Sequence, residues 1–269
     1  MPAKPLRPAT VLADQKPTEI RPVLPTVAVG SFKGGVWKTS IAVALAERLA
    51  WAGLRVLLLT SDQQEDARYR LGITSAAPGT LPRVKKGEGH VAVISAPGVK
   101  TINLLYNQQL REVVGQFDVA VLDTPPMLAT GELAGVHLVS LVDGIDAVRN
   151  LIAMLRPTPK NTKIIVTKVR KLDVEQWLKV VEYLDEQLTQ EVNYVGEPLP
   201  ESKAVEEAHN DAVSVWTLAR RGATKGFLDG IETLARTFWQ DVYPDRAFPD
   251  IPPLKARTVT FKGWGEDED

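Results

Sequence analysis

Apolar residues along this chain gather in short runs separated by helical patterns. Val27–Val29, Arg55–Thr60 (RVLLLT), Phe117–Asp123 (FDVAVLD), His137–Val142, Lys163–Thr167 and Val192–Val195 are too short for helices, and His90–Ala96 (HVAVISA) alternates. Runs bounded by turn residues predict strands buried on both faces of a parallel sheet. Between them, Ile41, Ala44, Leu45 and Leu49 recur at helical spacing and Gly53 stops the pattern. Further helices are predicted over Asn103–Val114, Ile145–Leu155, Val174–Leu188, Lys203–His209 and Thr224–Trp239. Strands alternating with helices predict an α/β fold: a doubly wound, mostly parallel sheet with helices on both faces.

The pattern also divides the chain. Residues 1–25 carry prolines at 2, 5, 8, 17, 22 and 25 with little apolar periodicity, and read as a flexible Pro-rich arm. Residues 26–243 hold the periodic elements. Residues 244–269 contain prolines, end Gly-Glu-Asp-Glu-Asp, and read as a solvated acidic tail.

Composition removes several classes of chemistry. The chain has no cysteine, which excludes disulfides, zinc–thiolate sites and thiol catalysis. Three scattered histidines, His90, His137 and His209, do not suggest a histidine metal centre, and read as structural or exposed. A net charge of −1 gives no global pull toward nucleic acid, so DNA binding needs a local basic face. No apolar run approaches the roughly 18 residues of a membrane span. The expected location is the cytoplasm.

The candidate chemistry lies where the first strand meets the first helix. Lys33-Gly34-Gly35-Val36-Trp37-Lys38-Thr39-Ser40 follows Val27–Val29 and precedes the helix at Ile41. Strand, glycine loop, lysine, hydroxyl and helix form the grammar of a phosphate-binding loop. Glycines let backbone N–H groups approach phosphate, the helix N-terminus adds partial positive charge, and Lys38 adds a full one. Thr39 has the hydroxyl suited to Mg²⁺. Asp62 and Asp123 follow two predicted strands, at the sheet end where ligands gather in open α/β folds. Asp62 also fits a helix cap. Trp37 is the anomaly, because the loop pattern has glycine immediately before the lysine.

With those residues in place, the chain resembles the ParA/MinD family of deviant Walker-type ATPases, and most closely the small ParA-type DNA-partition ATPases. The resemblance spans roughly residues 26–240 of this chain. Lys33–Ser40 matches the KGGxGK[ST][ST] motif except at Trp37, Val56–Asp66 (VLLLTSDQQED) is similar to VLLIDxDPQGN, Phe117–Pro126 (FDVAVLDTPP) matches FDxxxxDTPP, and Gly196–Ala208 is similar to the late xxIPxSxxxxEA segment. The resemblance implies a P-loop NTPase-like fold using ATP and Mg²⁺. It implies that Lys33 reaches across an ATP-dependent homodimer, with Gly34, Gly35, Val36, Trp37, Lys38, Thr39 and Ser40 around the phosphates. Asp62 would position the attacking water, Thr39 and Asp123 would serve Mg²⁺, and Pro198 and Pro200 would lie near the adenine. Arg220, Arg221, Lys225 and Arg236 resemble in placement the surface with which ParA dimers contact DNA non-specifically, and a solvated helical face explains them equally well. A ParB-like partner and association with the nucleoid follow from the same resemblance.

Departures from the motif set a second expectation. Thr60 stands where the family has an aspartate, Gln63 where it has proline, and the segment after Pro126 is shorter. A tryptophan held at positive φ would cost on the order of 1–3 kcal/mol. Trp37 could instead shift the loop, stack on the nucleotide, or anchor a loop that no longer binds one. The alternative function is therefore a ParA-like binding or filament-forming module with impaired hydrolysis. A MinD-like membrane positioner is disfavoured, because Leu254–Asp269 has no basic amphipathic stripe.

Overall fold

The computed structural model describes residues 22–31, 37–60, 66–71, 90–95, 105–106, 115–124, 135–155, 163–168, 173–188, 192–250 and 260–262. In chain order the elements are β1 (Thr26–Gly30), α1 (Lys38–Trp51), β2 (Arg55–Thr60), α2 (Asp66–Arg70), β3 (His90–Ser95), β4 (Val119–Asp123), β5 (His137–Val142), α3 (Ile145–Leu155), β6 (Lys163–Lys168), α4 (Val174–Gln187), β7 (Val192–Val195), α5 (Lys203–Asn210), α6 (Gly222–Val242) and β8 (Thr260–Lys262). A short 3-10 turn, Val215–Thr217, precedes α6.

The strands form one sheet in the order β7-β6-β5-β1-β4-β2-β3-β8, and every pairing is parallel. From β1 the chain steps out to β2 and β3, returns to β4 between β1 and β2, then crosses β1 and continues outward through β5, β6 and β7. The winding reverses at β1. In open α/β sheets the crevice outside the carboxyl ends of strands at such a reversal is where ligands sit.

The unbroken apolar runs in the sequence arise because both sheet faces are covered. Val27, Val29, Val56, Leu58, Val119 and Val121 pack into one core with α1 and α6, and Ala28, Leu57, Leu59, Ala120 and Leu122 into a second with α3 and α4. Helix α1 is buried almost all round, because α6 covers what the sheet leaves. Its alanines permit that close packing. Three charged residues are buried with it, Lys38 at its start and Glu47 and Arg48 further along. Arg48 bonds to Glu232 and to the Pro249 carbonyl and stacks 4.1 Å from the Phe248 ring centre, while Glu47 accepts from Ser214 Oγ at 3.1 Å.

Every predicted strand is present. The hydrophobic pattern did not predict α2 or β8, which pairs with β3 through His90–Thr260, Val91–Phe261 and Ala92–Lys262. Nor are residues 244–250 free of the core, since Phe248 is buried and Trp239 Nε1 donates to the Arg246 carbonyl at 2.9 Å. Most of the predicted Asn103–Val114 helix lies outside the described residues.

Candidate nucleotide site

Helix α1 begins at Lys38 directly behind the carboxyl end of β1. Ile41 N–H donates to the Trp37 carbonyl at 2.9 Å, closing the first turn. The first turn holds no acidic residue, so no side chain of its own offsets the partial positive charge of the helix N-terminus. Lys38 and Ser40 are buried there, and Thr39 is half-buried. At the end of β1, a Cβ on Gly30 would come 3.3 Å from Leu138 Cδ1 and 3.6 Å from Thr124 Oγ1. A side chain would crowd the point at which the chain leaves the sheet.

Trp37 has φ 60° and ψ 19°, the left-handed region glycine favours. The tryptophan therefore adopts the glycine conformation at its position and carries its strain. Its half-buried indole lies edge-on to Phe227 of α6, with ring centres 5.7 Å apart. The strained backbone and the packed ring thus occur together: the ring belongs to the core between α1 and α6. Lys33, Gly34, Gly35 and Val36 lie outside the described residues, as does Asp62.

Asp123 ends β4 two strands from β5 and next to β1 and β2. It is 1 % exposed, and Thr60, its register partner on β2, donates to Oδ2 from Oγ1 at 3.4 Å. Threonine at this position supplies a neutral donor; a second carboxylate there would repel the first. Thr124 Oγ1 donates to the Val29 carbonyl at 2.8 Å and ties the ends of β4 and β1 together. The strand-end carboxylate thus lies at the carboxyl end of the sheet, in register with Val29 near the end of β1, the strand that precedes α1.

The Pro198–Pro200 turn is seated on α6. Leu199 N–H donates to the Lys168 carbonyl at 2.8 Å, and the turn packs over Gly226 and Gly230, where a Cβ would meet Pro200 Cγ at 3.0 Å and Leu199 Cδ2 at 2.5 Å. Arg220 and Lys225 both pair with Asp229, and Arg236 pairs with Glu232 at 3.2 Å. Arg221 is exposed at the start of α6. Lys225 and Arg236 lie on α6 while Arg220 and Arg221 precede it, Arg221 as its N-cap, and three of the four charges are partly met by carboxylates of α6.

Sequence reasoning missed Arg70, and of the two readings it left for His209, structural or exposed, the structure shows the structural one. Arg70, on α2, donates from Nη1 to Ser40 Oγ and lies 3.2 Å from His209 Nδ1. Burial pulls the guanidinium pKa down against the opposing charges of Asp66, Asp123 and Glu206. His209 is buried on α5, and burial, then the Arg70 charge, push its pKa down to about 3. The imidazole is neutral, so Nδ1 accepts from Arg70 and Nε2 carries the proton. A second crevice of about 300 Å³, lined by Ser31, Ser140, Asp143, Asp146 and Asn150, opens at the ends of β1 and β5. Its two carboxylates suit a phosphate poorly.

Residues 27–215 match the family described as the CobQ/CobB/MinD/ParA nucleotide binding domain. The chain belongs to that family. Maintenance of carboxysome distribution protein A of Gloeobacter kilaueensis is 32% identical over 145 residues, covering 54% of this chain and 55% of that protein. A ParA family protein of Chlamydia pneumoniae is 29% identical over 129 residues, covering 38% of this chain and 51% of that protein. The chain spans about half the length of these curated relatives. The septum site-determining protein MinD of Pyrococcus horikoshii, solved with Mg-ADP, shares the fold at a TM-score of 0.53 and 15% identity, covering 78% of this chain and 96% of that one. Among the described residues no helix is long and apolar enough to cross a membrane.

Proposed function

We propose that this chain is a ParA-type ATPase that dimerises on ATP, binds DNA non-specifically and acts in the partition of a DNA cargo with a ParB-like partner. The observation that carries the reading is the buried Lys38 opening a helix whose first turn is free of acid, at the end of the sheet where β4 terminates in the carboxylate Asp123. Lys38 and the first N–H groups of α1 would hold phosphate, and Thr39 with Asp123 would hold Mg²⁺, whose charge offsets that developing on the transferred phosphoryl group. The donor set fits: a hydroxyl and a carboxylate are hard oxygen ligands. Asp62 would orient water and Lys33 would act on a partner subunit's phosphates. The basic residues Arg220, Arg221, Lys225 and Arg236 are the proposed DNA contacts, and a dimer doubles whatever face they make.

Thr60 and Trp37 favour a second reading, a nucleotide-binding or filament-forming module with slow turnover, because both depart from the motif within the site. Calorimetry with Mg-ATP and Mg-ADP tests binding: the wild type should bind, and Lys38→Ala should lose at least about tenfold in affinity. A wild type that binds neither nucleotide refutes the ATPase reading. DNA retardation stronger with ATP than with ADP supports the nucleotide-gated clamp, whereas equal retardation refutes it.

A further inference from the structure

Arg70 is a half-buried cation whose two hydrogen bonds go to neutral groups, the Ser40 hydroxyl and the His209 imidazole. A buried arginine is ordinarily matched by a carboxylate. Here, among the described residues, no carboxylate forms an ion pair with it. The neutral anchor has a consequence. Histidine fixes the direction of the guanidinium without neutralising it by direct contact. The carboxylates of Asp66, Asp123 and Glu206 act on it by longer-range attraction rather than as bonded partners. The guanidinium charge lies beside Ser40, two residues past Lys38, in the first turn of α1. Ser40 accepts from Arg70 through one lone pair, which leaves its O–H free to donate and makes it a stronger donor.

We infer that Arg70 is a phosphate-site cation supplied by the same subunit, held by neutral His209 so that its charge serves an anionic ligand at the start of α1. The inference rests on the nucleotide-binding reading and adds to it a residue outside the glycine loop. It also gives the five-residue helix α2 a task. A cation on α2 connects the segment that follows Asp62 to the phosphate end of α1 and, through His209, to α5.

Affinity for Mg-ADP, measured by calorimetry, separates a charge role from a merely structural one. Arg70→Gln should weaken binding by about tenfold, and Arg70→Lys should restore most of it. His209→Asp keeps an acceptor for the guanidinium but neutralises it, so it should weaken binding as Arg70→Gln does; His209→Asn, a neutral acceptor, should bind like the wild type. If Arg70 only pins α2, the carboxylate of His209→Asp would hold it more firmly and affinity would be kept. That result, or an unchanged affinity in Arg70→Gln, overturns the inference. Thermal unfolding of each variant checks its fold. Should His209→Asp not fold, the Arg70 pair decides alone, because a lysine that binds as weakly as glutamine also overturns it. If the wild type binds no adenine nucleotide, the ATPase reading fails separately. Inorganic pyrophosphate then probes the cation: binding lost in Arg70→Gln upholds the inference, and no binding by the wild type removes it.

Discussion

Trp37 concentrates two opposed energies in one residue. Its left-handed backbone costs roughly 1–2 kcal/mol in any residue but glycine, and its indole contributes packing against Phe227. Truncating a buried tryptophan costs about 3–5 kcal/mol, and a half-buried ring loses a share of that. Packing outweighs strain. Trp37→Gly should therefore unfold several degrees below the wild type while leaving the backbone before Lys38 able to keep its conformation. A thermal melt checks the first expectation, and a higher melting point would show that strain dominates. If the anchored ring also slows turnover, phosphate release should rise in the same variant, and an unchanged rate would remove the idea of a brake. The sequence identified the residue as anomalous. Its partner, Phe227, lies 190 positions away in the chain, and no local pattern could have named it.

At the scale of elements, the carboxyl end of the sheet is covered by contacts between helices and turns. The Pro198–Pro200 turn rests on α6 because two helical glycines, one turn apart, leave room for it. Replacing helical glycine by alanine gains about 1 kcal/mol in propensity. At Gly226 the new methyl meets a proline ring at 3.0 Å, and the gain and the crowding should nearly cancel. At Gly230 it would lie 2.5 Å from Leu199 and 3.1 Å from the Pro198 carbonyl, so overpacking of about 1–3 kcal/mol should prevail. Urea unfolding should place Gly230→Ala below Gly226→Ala in stability, and the reverse order would mean that the turn yields freely. Strands were legible in the sequence because burial on both faces writes a continuous apolar run. Helix α2 was not, since five residues with one buried alanine have no readable period. β8 was hidden for a related reason: three residues paired on one edge need little hydrophobic signal.

For the whole molecule, two buried titratable groups shape stability in opposite directions. Burial, opposed by the Ser214 hydrogen bond, raises the Glu47 pKa from 4.5 to about 8, so the folded state holds a proton that the unfolded chain releases above 4.5. The stability this proton supplies is complete below pH 4.5 and is lost as pH rises through about 8. His209 acts in reverse. Its folded pKa of about 3 lies below the ordinary 6.5, so its contribution is present above 6.5 and lost as pH falls through about 3. Where the two windows overlap their slopes oppose. Glu47→Gln should remove the alkaline loss and gain roughly 3 kcal/mol over the wild type near pH 7, at about 1.4 kcal/mol per unit of pKa shift. Denaturant unfolding from pH 5 to 9 checks this, and a wild type that holds its stability across that range would exclude a protonated Glu47.

The sequence by itself determined the parallel sheet, the order of its strands along the chain, the phosphate-loop grammar and the two candidate carboxylates, because each is written in residues close together. Tertiary structure decided the spatial strand order that puts β1 at the reversal, the seating of Trp37 on Phe227, and the meeting of Arg70, Ser40 and His209. Those depend on which helices pack over which strands. Positions 40, 70 and 209 share no local periodicity; they meet only when α1, α2 and α5 close over the carboxyl end of the sheet, where burial turns a histidine into a neutral anchor and leaves an arginine its charge.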